Sequence, residues 1–180
     1  MATRVIMLRA VNVGGATLPM AELRELMTGL GATDVRTYIA SGNAVCLIHG
    51  DSAAFDRALE AAIQARFGFF REVISRSPDD MAGALRAHPF EVLEPKNSYV
   101  NFLLSEPTPE ALARAGEIPT GNDRWLVSGR DQHIRYAAGA GRPEMNVTAI
   151  GRAMGVPGTA RNLRTVEALI SLCAGDGPAS

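Results

Sequence analysis

Two kinds of apolar pattern alternate along the first 76 residues, and this alternation restricts the chain to few folds. Four short apolar runs have the length of β-strands and occupy residues 4–9, 35–40, 44–48 and 69–75. Two longer segments between these runs carry apolar residues at helical spacing, from Leu23 to Leu30 and from Phe55 to Phe67. The resulting order β-α-β-β-α-β is that of a ferredoxin-like unit, which belongs to the α+β class.

The second half of the chain begins with the same kinds of element. Strands are predicted at residues 99–104, 124–127 and 133–136. A helix with Val147 and Met154 follows, and Thr159 is predicted to cap a last helix that carries Leu163 and Cys173. We therefore predict an α+β protein with two ferredoxin-like (β-α-β-β-α) units in tandem, the second diverged and ending in a helix pair.

A connecting segment separates the two predicted units. Ser77 and Pro78 form a strong helix start, with two acidic residues near the positive end of the helix dipole. Pro95 lies in a linker-like stretch that follows this helix. The predicted units are residues 1–77 and 98–180, joined by a helix and linker at residues 78–97.

Composition limits the function classes. The formal net charge is -1, so nucleic acid is a possible partner through a local basic patch but is not favoured by net charge. No apolar stretch approaches the roughly 20 residues that span a bilayer, and no signal-peptide pattern is present, so we expect a cytoplasmic protein without a membrane partner. Cys46 and Cys173 lie in apolar runs outside any CxxC or Cys/His cluster. We predict two free thiols and no metal site.

Four segments of the chain resemble a known family. They read MLRAVNVGG from Met7, PMAELR from Pro19, VRTYIASGN from Val35 and GVPGTARN from Gly155. They are similar to the domain-of-unknown-function 1697 family, which has no established activity. The resemblance thus implies a fold and candidate positions but no reaction. The chain departs from the family pattern at Leu163, where the family usually has Trp, and at residues 143–145, where Pro-Glu-Met replaces Ser-Lys-Leu.

The first candidate site is the loop after the first predicted strand. Arg9 could pair with a phosphate or carboxylate, and Gly14 and Gly15 would let the backbone approach an anion closely. Asn12 could join such a site or simply cap its own turn. The loop lacks a following Gly-Lys-Ser/Thr and does not match GxGxxG, so we predict no cofactor.

Two other segments carry candidate residues. Ser41 and Asn43 lie in a turn between predicted strands, where a hydrogen bond to the first loop is favoured over a catalytic serine because the histidines form no triad pattern. Arg161 and Asn162 follow Thr159, where a helix N-terminus and an arginine could converge on an anion. A cap at Thr159 alone also explains this last segment.

Aromatic residues on the predicted strands suggest a different function. On a ferredoxin-like sheet they could stack bases, but the RNP consensus of RNA-binding domains is absent and packing is the favoured role. They are Tyr38, Tyr99, Phe102, Trp125 and Tyr136.

The leading hypothesis is binding of a small anionic ligand, such as a phosphate-bearing one, in a cleft between the two units. The alternatives are a non-catalytic nucleic-acid-binding module that uses the sheet face, and a protein-interaction or self-associating module. The sequence assigns neither a reaction nor an oligomeric state. The candidate ligand-binding residues are Arg9, Asn12, Gly14, Gly15, Ser41, Asn43, Arg161 and Asn162.

Overall fold

The chain divides into two compact units, each with its own sheet. The computed structural model describes residues 1–12, 15 and 17–175. The first unit comprises Met1–Gly83 and Glu167–Ser180, and the second comprises Ala84–Val166. Each unit has one four-stranded antiparallel sheet, so the predicted α+β class is confirmed.

The first unit has the predicted order of elements. Its elements are β1 (Ala2–Leu8), α1 (Met20–Gly29), β2 (Thr33–Tyr38), β3 (Asn43–Ile48), α2 (Ser52–Phe67), β4 (Val73–Arg76) and the start of α3 (Pro78–Arg86). The strands are ordered β2-β3-β1-β4, and β1 pairs antiparallel with both β3 and β4. One face of this sheet packs with α1 and α2 around a core that includes Ile6, Leu23 and Leu59.

Local chemistry explains both ends of α2. The Asp51 carboxylate accepts a hydrogen bond from the N–H of Ala54 at 2.7 Å, and Gly68 closes the helix with a φ of 76°. Two buried acids then attach α2 to β4. Ser75 donates to Asp56 at 2.8 Å, and the N–H of Val73 donates to Glu60 at 2.8 Å.

The second unit repeats this strand order. Its elements are the end of α3, β5 (Ser98–Leu103), α4 (Pro109–Gly116), β6 (Arg124–Ser128), β7 (Asp131–Arg135), α5 (Val147–Met154), β8 (Gly158–Asn162) and the start of α6 (Leu163–Ala174). The sheet order is β6-β7-β5-β8, in which each strand has the same place as its counterpart in the first sheet. The chain leaves the first unit within α3 and returns to it within α6.

The predicted cap at Thr159 and the predicted helix pair are wrong. The segment Gly158–Asn162 is strand β8, which pairs antiparallel with β5 and separates α5 from α6. The last helix begins at Leu163, and the Asn162 side chain caps it by accepting from the N–H of Thr165 at 2.8 Å. The sequence pattern misled because polar residues, Thr159 and Arg161, occupy the buried positions of this strand.

Both cysteines are free, as predicted. Cys46 is buried in β3, and burial raises the pKa of its thiol to about 12. Cys173 is half-buried in α6, where burial also raises its pKa. Both thiols are therefore held protonated at neutral pH and are poor nucleophiles.

Candidate functional site

The Asn12 side chain, called the asparagine clamp below, bonds to the backbone at Leu18 and Ala40. The Asn12 side chain donates to the carbonyl oxygens of Leu18, at 3.1 Å, and Ala40. Its oxygen accepts from the N–H of Leu18 at 2.8 Å. Every polar group of the Asn12 amide is thus directed at the backbone, so Asn12 shapes the loop.

The backbone at the start of this loop is unusual. Ala10 and Asn12 have φ angles of 51° and 57°, a left-handed conformation that costs energy for residues with a Cβ. Gly15 also has a positive φ, of 89°, and a Cβ placed there would contact nothing within 4 Å. Gly14 lies outside the described residues. Strained backbone at a strand end is a common feature of ligand sites.

Two arginines flank the loop. Arg9 forms an ion pair with Glu72 at 3.2 Å, and its side chain is about half exposed. Arg71 donates to the carbonyl oxygens of Ala10 at 3.0 Å and Phe70 at 2.7 Å. Its guanidinium also lies 5.0 Å from the ring centroid of Phe69, a cation–π contact that fixes its orientation. Two arginines therefore adjoin the residue with the strained backbone: Arg9 precedes it in the chain, and Arg71 donates to its carbonyl oxygen.

Sequence reasoning missed Arg71. The apolar run at residues 69–75 suggested a strand, but β4 begins only at Val73. Before β4, the carbonyl oxygen of Glu72 accepts from the N–H of Arg9 at 3.0 Å, and the Arg71 side chain donates to the carbonyl oxygen of Ala10. Arg71 and Glu72 interrupt the apolar run in the sequence, and this interruption could have indicated that the strand begins after them.

The β2–β3 turn packs directly against the same loop. The N–H of Leu8 donates to the carbonyl of Gly42 at 2.8 Å, and Asn12 reaches Ala40 from the other side. Within the turn, Asn43 is fully buried and donates to the hydroxyl oxygen of Ser41 at 2.8 Å. The turn thus contacts the end of β1 and the loop through the backbone carbonyls of Gly42 and Ala40, and a hydrogen bond from Ser41 itself to the loop stays a prediction.

Replacing Gly42 with alanine is expected to destabilise the protein by about 2 kcal/mol. Gly42 has a φ of 73°, and an added Cβ would lie 2.4 Å from Cγ2 of Val11 and 2.9 Å from Cβ of Leu8. Urea denaturation measures the loss. Gly50→Ala is the matched control, because Gly50 has a similar φ of 82° but open space around it. An equal loss in both variants would show that backbone conformation alone, and not packing, requires glycine at position 42.

The histidine of the first unit lies far from Ser41 along the chain. The histidine of the first unit, His49, follows the far end of β3, so roughly 20 Å of extended strand separates the two residues. The other two histidines, His88 and His133, belong to the second unit. That Ser41 is not catalytic stays a prediction.

Arg161 and Asn162 lie in the second unit and have protein partners. Arg161 donates to the hydroxyl of Thr159 at 2.6 Å and to the carbonyl of Ala160 at 2.9 Å. It is almost fully buried, and burial lowers the pKa of its guanidinium to about 10. Asn162 caps α6. The prediction that these residues share a ligand with Arg9 stays a prediction.

The positions where the chain departs from the family pattern have structural roles here. Leu163 is buried at the start of α6. Glu144 accepts hydrogen bonds from the backbone and side chain of Asn122. The backbone N–H groups of Glu144 and Met145 donate to the fully buried carboxylate of Asp123. Asp123, which sequence reasoning missed, thus anchors the segment before α5.

The aromatic residues of the second sheet are largely packed, as favoured from the sequence. The rings of Tyr99 and Tyr136 meet edge to face with centroids 5.4 Å apart, in a cluster that Trp125 joins. Phe102 is fully buried. Tyr38, in the first unit, is half-buried. This packing does not favour the nucleic-acid alternative, which needs exposed rings for base stacking.

The described residues contain neither a metal-binding cluster nor a membrane-spanning helix. Within residues 1–12, 15 and 17–175, no three His, Cys, Asp or Glu side chains are grouped so that they could hold a metal ion. Across the same part of the chain, every helix is too short or too polar to cross a membrane.

The fold of this chain has a counterpart among solved structures. The conserved bacterial protein SP0830 from Streptococcus pneumoniae matches with a TM-score of 0.74 at 19% sequence identity. The match covers 97% of this chain and 99% of that protein, so it extends through both units. At this identity the likeness establishes the fold alone.

Sequence comparison identifies the family to which this chain belongs. Residues 1–132 match the family described as "Protein of unknown function (DUF1697)", and the chain belongs to that family. The match agrees with the resemblance seen in the β1–α1 loop and the β2–β3 turn. No curated protein matches the chain.

Proposed function

We propose that this protein binds a small anionic ligand, such as a phosphate-bearing one, through the β1–α1 loop. The observation that carries this proposal is that two arginines adjoin the left-handed residue Ala10: Arg9 precedes it in the chain, and Arg71 donates to its carbonyl oxygen. Arginine is well suited to phosphate and carboxylate because its planar fork donates two parallel hydrogen bonds. The backbone strain at Ala10 and Asn12 is maintained by the asparagine clamp, as expected of a preorganised site.

Glu72 has a defined role in this proposal. It neutralises Arg9 in the absence of ligand, and the exposed pair contributes little to stability. An anion that binds Arg9 has to compete with this carboxylate. Removing the charge of Glu72 should therefore strengthen anion binding, whereas removing Arg9 should weaken it.

We also propose Arg161 and Asn162, in the second unit, as ligand-binding residues. Each would have to contact the ligand in addition to its present partners. Gly14 and Gly15 are proposed to present backbone N–H groups, while Asn12, Ser41 and Asn43 hold the loop and the adjoining turn in shape.

Arg9→Ala is expected to weaken anion binding by roughly 10- to 150-fold, the equivalent of losing about 1.5–3 kcal/mol for a charge-assisted hydrogen bond. The probes are inorganic phosphate and a set of phosphate monoesters, and the readout is the rise in melting temperature with probe concentration. Glu72→Gln should shift the response to lower probe concentration.

Arg66→Ala is the matched control for Arg9→Ala. Arg66 is also a partly exposed arginine paired with acids, Glu22 and Glu25, but it lies on α2. The proposal fails if no probe stabilises the parent protein. It fails equally if Arg66→Ala weakens the response as much as Arg9→Ala, since the effect would then reflect net charge alone.

We also propose that both units are ferredoxin-like and that the protein is cytoplasmic. The support for the first statement is the order β-α-β-β-α-β in each unit, with the first strand between the third and fourth strands of its sheet. The support for the second is the pair of free cysteines.

A further inference from the structure

The second unit exposes a regular sheet edge. β6 is at the end of the strand order β6-β7-β5-β8, and no strand lies on its other side within the described part of the chain. All five of its residues pair with β7 in unbroken register. Such an edge presents unpaired backbone groups to any further strand.

The equivalent edge of the first unit is irregular. The pairing of β2 with β3 shifts register between Thr33 and Arg36, and Asp34 has a φ of 50°. A bulge of this kind twists an edge and obstructs pairing with another chain. The two sheets share one strand order, so the difference shows that β6 lacks a protection that β2 has.

The backbone groups available on β6 belong to alternate residues. The two-residue hairpin closes on Ser128 and Asp131, so Ser128, Leu126 and Arg124 direct their backbone groups toward β7. Trp125 and Val127 therefore direct theirs outward. Beside them, a groove of about 400 Å³ is lined by Trp125, Val127 and the α4 residues Leu112 and Gly116.

The sequence of β6 is complementary to itself. If two copies pair antiparallel about Leu126, Arg124 faces Ser128 of the other copy and Trp125 faces Val127. Leu126, which is 46% exposed, then faces its own counterpart. No two like charges are opposed, and apolar residues meet apolar ones, which is the arrangement that stabilises cross-strand pairs.

We infer that β6 is a self-association edge, on which a second copy of this chain adds its own β6 to form a continuous eight-stranded sheet. Trp125 and Val127 of each copy exchange backbone hydrogen bonds with Val127 and Trp125 of the other. The occupant is a second copy because the five residues complement themselves about a twofold axis, which an unrelated peptide would not require. A five-residue edge is short compared with standard interfaces, so the dimer is expected to be weak, with a dissociation constant on the order of micromolar.

The test is sedimentation velocity of the full chain from about 1 µM to about 300 µM. The parent protein should change from monomer to dimer across this range. Leu126→Lys and Leu126→Glu should each remain monomeric, because each places two like charges opposite one another at the twofold axis. An equimolar mixture of the two variants should form a dimer, because lysine then faces glutamate.

Leu93→Lys is the matched control. Leu93 is another exposed leucine of the second unit, 74% exposed, and lies outside β6. This variant should dimerise like the parent, and melting temperatures verify that all variants fold. A parent protein that stays monomeric throughout overturns the inference, and so does a dimer that Leu126→Lys leaves intact. Recovery in the lysine–glutamate mixture is the result that an extended peptide partner could not produce.

Discussion

Replacing Asp123 with alanine is expected to destabilise the second unit by about 3–4 kcal/mol. The Asp123 carboxylate is fully buried and accepts three backbone hydrogen bonds, from Ala137 at 2.8 Å, Glu144 at 2.7 Å and Met145 at 3.1 Å. Alanine would leave these three N–H groups without their acceptor. Buried donors without acceptors are among the costliest defects in a folded protein.

Urea denaturation at neutral pH measures this loss. Asp123→Asn should lose less stability than Asp123→Ala, because its amide oxygen can still accept hydrogen bonds. It should still be less stable than the parent protein, because the amide carries no charge and its NH2 group cannot accept. Glu106→Ala, at an exposed acidic position of the same unit, is the control and should change stability by less than about 0.5 kcal/mol. A loss below about 1 kcal/mol in Asp123→Ala would mean that water or a rearranged loop satisfies the N–H groups.

Lowering the pH from about 6.5 to about 4 is expected to destabilise the protein through His133 by up to about 3 kcal/mol. His133 is 1% exposed, its Nδ1 has no hydrogen-bond partner, and its ring lies 5.4 Å from that of His88, centroid to centroid. Burial, with a smaller contribution from His88, lowers its pKa from 6.5 to about 4. In this pH range the unfolded chain binds a proton that folded His133 does not, so protonation favours unfolding.

The His133→Leu variant isolates this contribution. The free energy of unfolding is measured between pH 4 and pH 7.5 for the parent and the variant, and the difference between the two curves should change with pH. Asp56 acts in the opposite direction, because burial raises its pKa to about 6, but it is common to both proteins and cancels. His49→Leu, at an exposed histidine, should leave the pH dependence unchanged. Parallel curves for the parent and His133→Leu would contradict the prediction.

The helix predicted from Phe55 to Phe67 is confirmed as α2. Asp51 and Gly68 lie at the ends of this helix, and Thr108 caps α4 by accepting from the N–H of Ala111. These signals act over three or four residues, so they are readable in the sequence. Strand β8 was missed because its inward residues are Thr159 and Arg161, whose burial depends on neighbours that local sequence does not reveal.

The candidate loop shows the same division. Its glycines, Arg9 and Asn12 stand out in the sequence, and they made the loop after β1 a candidate site. The sequence did not indicate which residues these side chains would contact. Arg9 meets Glu72, 63 positions away, and Asn12 clamps Ala40, 28 positions away. The register of β1 with β3 and β4 brings these residues together.

The sequence by itself determined the α+β class, the family and the positions of α1, α2 and the start of α3, because apolar periodicity and capping chemistry act between near neighbours in the chain. The tertiary structure decided which charges are paired, which polar groups are buried and which sheet edge is left regular. Asp123 reads as an ordinary loop residue until folding places three N–H groups from residues 14 to 22 positions ahead around its carboxylate. Such contacts form only when strands and loops distant in sequence come together, so no local sequence pattern predicts them.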